Sequence, residues 1–441
     1  MGKYFLGIDQ GTTGVTAMLF DRSFAPVSRG YCEIGQFYPQ NGWVEHDPKN
    51  IWESVKNAAA EAMKNANASV EDILAIGIDH EGESAMIWDK ETGKPFYPAI
   101  VWQDKRTASR AEELEAEYGD LFRRKTALSP DSYFSATKIE WVLKNIPTTR
   151  PVLAGNMDAW ILYKMTGGKE HKTDSSTASR TMLYNIESGE WDAELCSVLG
   201  IDSEILPEIG DSARIFGISD PEAFLGIRAP IGAMLCDQQA ALLGQGCVRK
   251  GMLKTTYGTG CFMLMNTGDR PVYSQNGLVT TVAWQIGGKR TFALDGGVYD
   301  AGTAIQWLRD GLKIIESSQD SEYYARKVPD SGGVMVVPAF SGLGAPYWDP
   351  YARGIIIGIS RATTKNHIIR ATLESLAYQT ADVISLMESG TGIKTTSLRV
   401  DGGASSNGLL LEVQADLLGI ELLRPACVET TALGAAFLAG L

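Results

Sequence analysis

The stretch that decides the fold runs YFLGIDQGTTGVTAMLFD over residues 4–21. Apolar runs on both sides of a Gly- and Thr-rich turn predict two strands joined as a hairpin. A second stretch of the same design, MLKTTYGTGCFMLMN, occupies residues 252–266. Because the hairpin recurs far along the chain, we predict two similar domains with a boundary near residue 247. Two such turns facing each other would present backbone N–H groups and hydroxyls to a polyphosphate.

A third turn lies in LRVDGGA at residues 398–404, where a strand runs into a glycine pair before a helical stretch. Glycine there lets the backbone approach a ligand closely. Short β-branched runs alternate with helical stretches such as residues 51–64 and 367–387, which predicts an α/β fold with buried sheets. The sequence contains no Gly-x-x-x-x-Gly-Lys-Ser/Thr, and no Gly-x-Gly-x-x-Gly follows a strand. Walker-type and dinucleotide-binding folds are therefore both disfavoured.

Composition limits the partners of this chain. Its 441 residues include 40 Lys and Arg against 53 Asp and Glu, a formal net charge of −13. An acidic chain repels phosphate backbones, which disfavours nucleic acid as a partner. Any anionic ligand must then be held by local amides, by a metal or by a few placed cations. Six scattered cysteines, four dispersed histidines and the lack of a long apolar run predict a soluble cytoplasmic protein with reduced thiols, no zinc site and no membrane span.

Two aspartates beside the turns are candidates for phosphoryl-transfer chemistry. Asp9 ends the first predicted strand, where a carboxylate would suit Mg²⁺, and its structural alternative is a turn aspartate bound to its own backbone. Asp237 precedes an Ala- and Leu-rich helix. It is either the N-cap of that helix or a general base that takes a hydroxyl proton during attack on a γ-phosphate. For each residue alone, its local sequence favours the structural role.

Several aromatic residues and one glutamate suit a polyol pocket. Trp102, Tyr133 and Phe262 are candidates for core or cleft wall, and an aromatic face suits the C–H groups of a sugar. Glu83 could accept hydrogen bonds from hydroxyl groups. Its structural alternative is a solvated loop charge.

Longer motifs, in the right order along the whole chain, resemble the FGGY carbohydrate kinases and among them the glycerol-kinase-like members. The motifs are residues 9–13 (DQGTT), 42–48 (GWVEHDP), 88–95 (WDKETGKP), 100–104 (IVWQD), 133–141 (YFSATKIEW), 178–183 (ASRTML) and the segment from 354–358 (GIIIG) to 367–374 (HIIRATLE).

The resemblance implies an α/β fold of two actin-like (ribonuclease H-like) domains with a cleft between them. Residues 1–247 would form the polyol-binding domain and residues 248–441 the ATP-binding domain. The implied reaction is ATP-dependent phosphorylation of a small polyol, glycerol to sn-glycerol 3-phosphate, with ATP and Mg²⁺ as cofactors. The matched substrate positions are Glu83, Trp102, Tyr133, Asp237, Gln238 and Phe262, with Asp237 as the catalytic base. The matched nucleotide positions are Thr12, Thr13, Thr259, Gly302, Gln306, Gly403 and Asn407, and Asp9 matches the Mg²⁺ position.

Two departures from the family pattern keep other functions open. The glycerol-acting members typically read Asn-Gln-Arg-Glu where this chain has HEGE at residues 80–83, so Gly82 replaces an arginine and opens space for a longer polyol. Residues 14–16 (GVT) stand where those members read Ser-Ser-Arg, so the first turn lacks a cation. The alternatives are a kinase of the same family for a longer polyol or ketose (erythritol, threitol, xylulose) and a non-catalytic actin-like ATP-binding protein. Self-association into a homo-oligomer is left open.

Overall fold

The computed structural model describes residues 2–148, 151–274, 277–340, 342–345, 347, 349 and 351–441. Strands and helices alternate through both halves of the chain, as the sequence predicts. Across these ranges, no helix is long and apolar enough to cross a membrane.

The described part of the N-terminal half supplies a six-stranded sheet, a five-stranded sheet, a two-stranded sheet and the helices that cover them. Its strands are β1 Tyr4–Gln10, β2 Gly14–Phe20, β3 Pro26–Glu33, β4 Gln36–Phe37, β5 Glu45–His46, β6 Ile73–His80, β7 Ala85–Asp89, β8 Ala99–Ile100, β9 Val152–Asn156, β10 Lys172–Asp174, β11 Glu208–Gly210, β12 Ala213–Ile218 and β13 Pro230–Cys236. Its helices are α1 Pro48–Asn65, α2 Ala108–Thr126, α3 Ser135–Asn145, α4 Met157–Met165, α5 Ser175–Ala178, α6 Ala193–Leu199 and α7 Asp237–Gly244.

The C-terminal half supplies a second large sheet and its covering helices. Its strands are β14 Leu253–Tyr257, β15 Cys261–Gly268, β16 Val279–Ile286, β17 Lys289–Val298, β18 Met335–Val337, β19 Ile355–Ile357, β20 Ser397–Asp401 and β21 Glu421–Leu423. Its helices are α8 Gly302–Asp310, α9 Asp320–Ala325, α10 Lys365–Thr391, α11 Gly408–Leu418 and α12 Thr430–Ala439.

The two large sheets share one design. The first has the order β12-β13-β6-β1-β2-β3, and the second has the order β16-β17-β15-β14-β20-β21. In each sheet a hairpin (β1–β2 or β14–β15) is antiparallel, and its first strand pairs in parallel with a later strand (β6 or β20). This duplication is the predicted actin-like, ribonuclease H-like architecture, so the predicted fold class is confirmed.

Local sequence explains where the elements begin and how they pack. Asp47 caps α1 by accepting a hydrogen bond from the backbone N–H of Lys49, and Pro48 occupies the first helical turn, a position that proline favours. Apolar side chains of the central strands, such as Leu6 and Ile8, are fully buried, because helices cover both faces of such sheets.

The last helix, α12, crosses back onto the sheet of the N-terminal half. A Cβ atom at Gly7 would lie 2.3 Å from the carbonyl oxygen of Ala432, and one at Gly77 would lie 2.1 Å from that of Ala435. Since both contacts are with backbone, only glycine allows α12 to pack this closely on β1 and β6. The first residues of α12 are thereby brought to the ends of those strands.

Candidate active site

Three aspartates lie where neighbouring parallel strands of the first sheet end. Asp9 on β1 pairs in register with Asp79 on β6, and Asp237 directly follows β13, the strand on the other side of β6. The carboxyl ends of parallel strands meet at one edge of a sheet, which is where α/β proteins bind ligands. Negative charge is thus concentrated at this edge.

Asp9 is held by the start of α12. Its Oδ2 accepts a hydrogen bond from Thr431 Oγ1 at 2.6 Å. The adjacent Thr430 hydroxyl donates to Asp401 at the end of β20. Two neighbouring threonines therefore bind one aspartate from each large sheet. The alternative role of Asp9 was a bond to its own backbone in the turn, and the Asp9 side chain instead accepts this bond from Thr431.

Asp79 was not connected with the metal site in the sequence analysis. Its side chain is fully buried, and neither carboxyl oxygen accepts a hydrogen bond from any donor in the described ranges. Burial, together with the charges of Asp9 and Asp237, holds the pKa of Asp79 well above its usual value. A signal was available: LGID at residues 6–9 recurs as IGID at residues 76–79, in register on adjacent strands.

The Asp9 and Asp79 pair fits a Mg²⁺ ion. The two side chains face each other, and no described donor satisfies Asp79. No group of three or more His, Cys, Asp or Glu side chains in the described ranges is arranged to hold a metal. Mg²⁺ is characteristically held by one or two carboxylates, with waters and substrate phosphates as its other ligands, and this pair would meet that need.

Asp237 is the first residue of α7, and its preceding residue Cys236 occupies the N-cap position. The N-cap alternative for Asp237 is therefore wrong. Its Oδ1 accepts a hydrogen bond from the backbone N–H of Gln238 at 2.6 Å. Burial, reinforced by the charges of Glu83 and Asp9, raises the pKa of Asp237 to about 7. A carboxyl group with this pKa is suited to take up a proton near neutral pH.

The predicted aromatic residues lie together and join the two halves of the chain. Trp102 and Tyr133 have ring centroids 5.7 Å apart, and Trp102 and Phe262 have centroids 6.5 Å apart, both in edge-to-face geometry. Trp102 also donates from Nε1 to Thr12 Oγ1 at 2.9 Å. Trp102 and Tyr133 belong to the N-terminal half, whereas Phe262 lies on β15 of the C-terminal half. Both halves therefore contribute to this aromatic cluster.

The loop that carries Tyr133 is fixed by a buried lysine. Lys138 Nζ donates to the carbonyl oxygens of Ser132, Tyr133 and Phe134 at 2.7, 2.6 and 2.9 Å. Three acceptors require three N–H donors, which only the ammonium form supplies. Lys138 on α3 thus sets the position of the Tyr133 ring.

Glu83 lies in a buried ion pair. Arg180 Nε donates to Glu83 Oε1 at 2.6 Å, and Arg180 Nη2 lies 3.1 Å from Asp295 Oδ2 on β17. Glu83 is only 5% exposed, so the alternative of a solvated loop charge is wrong. Arg180 was included in the sequence analysis only within the motif at residues 178–183 and was not predicted as a site residue.

The space beside Gly82 is filled. A Cβ atom there would lie 2.9 Å from Cys236 Sγ and 3.6 Å from Arg180 Cγ. The expectation that Gly82 opens room for a longer polyol is therefore wrong. The side chains that fill this space come from residues distant in sequence, which the local pattern HEGE could not reveal.

A second buried cation lies between the halves. Lys254 Nζ on β14 donates to Gln238 Oε1 at 2.5 Å and to Thr256 Oγ1 at 2.9 Å. Burial lowers the pKa of Lys254, and the charges of Asp401 and Asp237 act in the opposite direction. Lys254 therefore places a cationic group at the cleft, although the first turn carries none, whereas the charge of Arg180 is matched by Glu83 and Asp295.

Apart from Gln306, which lies on α8, the predicted nucleotide residues lie on or beside three turns. Thr12 and Thr13 form the first turn, between β1 and β2. In the second, Gly302 donates from its backbone N–H to the carbonyl oxygen of Gly258 at 3.0 Å, which places the start of α8 beside Thr259.

The third turn adjoins the second. Gly402 has φ +82°, and a Cβ atom there would lie 2.5 Å from the carbonyl oxygen of Tyr257. Next to it, Gly403 has open space around its Cα, and Asn407 caps α11 by accepting from the backbone N–H of Leu410. Gln306 is exposed on α8, and no described hydrogen bond joins it to the turns.

A duplicated ribonuclease H-like fold, with glycine turns and carboxylates along one cleft, defines the class of actin-like phosphotransferases. The chain belongs to the FGGY family of carbohydrate kinases: residues 4–244 match the N-terminal domain of that family and residues 253–441 its C-terminal domain. The resemblance predicted from the motifs is confirmed, and with it the predicted enzyme class of an ATP-dependent carbohydrate kinase.

Individual relatives match over nearly the whole chain. The glycerol kinase of Carboxydothermus hydrogenoformans is 54% identical over 446 residues, covering 100% of this chain and 89% of that protein. The glycerol kinase of Thermus thermophilus is 50% identical over 448 residues, covering 100% of this chain and 90% of that protein. A crystal structure of Plasmodium falciparum glycerol kinase with ADP superposes with a TM-score of 0.92 at 34% identity, covering 99% of this chain and 89% of that one. A xylulose kinase from Lactobacillus acidophilus shares the fold, with a TM-score of 0.88 at 22% identity over 99% of this chain and 89% of that one.

Proposed function

We propose that this protein phosphorylates glycerol with ATP to give sn-glycerol 3-phosphate and ADP. Relatives named glycerol kinase, at 54% and 50% identity over the whole chain, support this assignment. The observation that carries the choice of a short polyol is the filled space beside Gly82, where Cys236 and Arg180 pack. A longer substrate would have to displace these buried side chains.

The polyol lies against Trp102, Tyr133 and Phe262, with Glu83 and Gln238 as its polar contacts. Glu83 Oε1 is taken by Arg180, so Oε2 is the oxygen that accepts a hydroxyl hydrogen. The aromatic edges and faces pack on the C–H groups and exclude water.

Asp237 acts as the general base. Its carboxylate takes the proton of the attacking hydroxyl while that oxygen forms the bond to the γ-phosphorus and ADP leaves. The raised pKa of Asp237, about 7, makes this carboxyl group a better proton acceptor than an ordinary aspartate. Lys254 holds Gln238 beside the base.

ATP lies between the turns, with Thr12 and Thr13 on one side and Thr259, Gly302, Gln306, Gly403 and Asn407 on the other. Asp9 and Asp79 are the residues that would hold Mg²⁺, which neutralises phosphate charge when bound. Residues 1–247 serve as the polyol-binding domain and residues 248–441 as the ATP-binding domain. The six free cysteines suit a reducing cytoplasm, and the partners are small molecules, with homo-oligomer formation left open.

The test is ADP release at fixed Mg²⁺–ATP with glycerol, erythritol, threitol, xylitol, dihydroxyacetone and D-xylulose. We expect the highest kcat/KM with glycerol. If a longer substrate has a kcat/KM about tenfold higher than that of glycerol (~1.4 kcal/mol of transition-state preference), the substrate is that polyol or ketose rather than glycerol. Release with none of the six would leave the non-catalytic ATP-binding alternative.

A further inference from the structure

We propose that Arg180 is a positioning residue for the polyol: it fixes the Glu83 carboxylate in the pocket and ties it to Asp295 in the C-terminal half. This inference rests on the proposed function and deepens it, because it names the residue that sets the geometry of polyol recognition.

The contacts of Arg180 leave its guanidinium little freedom. Nε donates to Glu83 Oε1 at 2.6 Å, and Nη2 lies 3.1 Å from Asp295 Oδ2 and 3.5 Å from the Tyr133 hydroxyl. The guanidinium carbon is 5.6 Å from the ring centroids of Tyr133 and of Phe134. The residue as a whole is 3% exposed. A planar fork of donors can hold two carboxylates and a ring at once, which a lysine cannot do.

The two carboxylates come from different halves of the molecule. Glu83 lies between β6 and β7, and Asp295 lies on β17 of the second sheet. Without Arg180 two buried negative charges would face each other across the cleft. Burial raises the pKa of Asp295, and the charge of Arg180 opposes that shift. The position of Glu83 therefore depends on the position of the C-terminal half.

Stability alone does not account for this arrangement. Arg180 Nη1 is buried and has no hydrogen-bond partner in the described part of the chain. A buried donor without a partner costs free energy, and a buried ion pair is itself weak evidence for stabilisation. A costly, incompletely satisfied arginine beside a substrate carboxylate is characteristic of functional sites.

Glu83 keeps one oxygen for the substrate. Oε1 accepts from Arg180, whereas no described donor bonds to Oε2. Arg180 thus determines both which oxygen is free and where it points. Loss of the fork would let Glu83 rotate, and a displacement of about 1 Å at a substrate contact can cost on the order of 100-fold in rate.

The test compares Arg180→Lys, Glu83→Gln and their double variant in the full chain. Arg290→Lys is the matched control. Arg290 also joins the two halves, by donating to the carbonyl oxygens of Ile186 and Glu187 at 2.8 and 2.6 Å, but it lies outside the pocket. Readouts are KM for glycerol, KM for ATP, kcat, glycerol affinity by calorimetry and thermal unfolding.

We expect Arg180→Lys to raise the KM for glycerol about tenfold or more, with the KM for ATP changed by less than about threefold. The double variant should be no worse than Glu83→Gln by more than about twofold, because the two residues act as one unit. Arg290→Lys should leave the KM for glycerol unchanged.

The proposal is overturned if Arg180→Lys lowers kcat or stability with an unchanged KM for glycerol. It is also overturned if the increase in KM for glycerol in the double variant equals the product of the increases in the two single variants. If Arg180→Lys does not fold, Asp295→Asn decides, since it frees one side of the fork: a raised KM for glycerol supports the proposal and an unchanged one overturns it. Failure of the proposed function is a separate result, because it would show in the wild-type protein as absence of glycerol phosphorylation.

Discussion

Asp237 shows how one side chain acquires its chemistry from its surroundings. Its carboxyl group is removed from water and lies near the charges of Glu83 and Asp9, so that its pKa is raised to about 7. An exposed aspartate has a pKa of about 3.9 and is a weak base. The shift is therefore a property of the fold rather than of the residue type.

This shift predicts a pH dependence of the reaction. Only the carboxylate form of Asp237 can take the hydroxyl proton, so kcat/KM for glycerol should rise from about pH 5.5, bend near 7 and level above it. The measurement is a pH–rate profile at saturating ATP in overlapping buffers, with Asp237→Asn as the comparison. A wild-type profile that is flat over this range would show that Asp237 does not act as the base.

Asp79 should contribute to Mg²⁺ affinity. The Asp79→Asn variant keeps the size of the side chain but removes the carboxyl group that could ionise to bind a cation beside Asp9. We expect it to weaken Mg²⁺-dependent ADP binding, measured by calorimetry, by about tenfold (~1.4 kcal/mol). The control is Asp120→Asn, which alters a surface carboxylate that is 96% exposed. Equal Mg²⁺ affinity in the wild type and in Asp79→Asn would remove Asp79 from the metal site.

Single residues were predicted unevenly from the sequence. The turns and the strand ends marked Asp9 and Asp237, because local patterns identify such positions. Arg180 and Lys254 were not predicted as site residues, since nothing in their local sequence shows which distant side chains they contact. Gly82 was misjudged for the same reason: Cys236, 154 positions away in the sequence, occupies the space that its missing side chain leaves.

At the scale of elements, the crossing of α7 and α12 controls the site. A Cβ atom at Gly434 would lie 2.1 Å from the carbonyl oxygen of Ala240, and one at Gly244 would lie 1.9 Å from that of Thr430. The two helices are therefore in backbone contact, and each begins with a site residue or its neighbour: Asp237 on α7, Thr430 and Thr431 on α12. If the two helices shifted where they cross, Asp237 at the start of α7 and Thr431 at the start of α12 would both move.

Gly434→Ala should therefore be costly. The added methyl group would force the helices apart, and such overpacking costs about 1–3 kcal/mol. We expect a lower free energy of unfolding in urea and weaker ADP binding, since Thr431 would shift Asp9. The control is Gly390→Ala in α10, where nothing lies within 4 Å of the added Cβ, and where alanine should be neutral or stabilising by up to about 1 kcal/mol. Equal stability of Gly434→Ala and the wild type would contradict the close packing.

Elements were more predictable than their arrangement. Both hairpins and the helices α1, α10 and α11 follow from apolar patterns within the segments themselves. The return of α12 to the first sheet could not be inferred, because its contacts with Gly7 and Gly77 join residues more than 350 positions apart. The one-residue difference at the start of α7 turned a predicted N-cap into a first-turn carboxylate.

Across the whole molecule, the proposed reaction places anionic ATP on a chain with a net charge of −13. Groups in the cleft offset this like-charge repulsion locally. Lys254 is a buried cation at the junction of the halves, and the glycine turns add backbone N–H groups that favour phosphate. Contacts that join the halves, including Lys254 to Gln238 and Thr431 to Asp9, make the site a product of both sheets. The proposed transfer therefore depends on the two halves being held together.

In the proposed mechanism, the cleft transfers a phosphoryl group to glycerol with Asp237 as the base. The most direct measurement compares wild type and Asp237→Asn for both glycerol phosphorylation and glycerol affinity by calorimetry. We predict that Asp237→Asn lowers kcat on the order of 100- to 10,000-fold, the usual contribution of general base catalysis, while glycerol still binds. Undiminished transfer by Asp237→Asn, with glycerol bound as in the wild type, would contradict this mechanism.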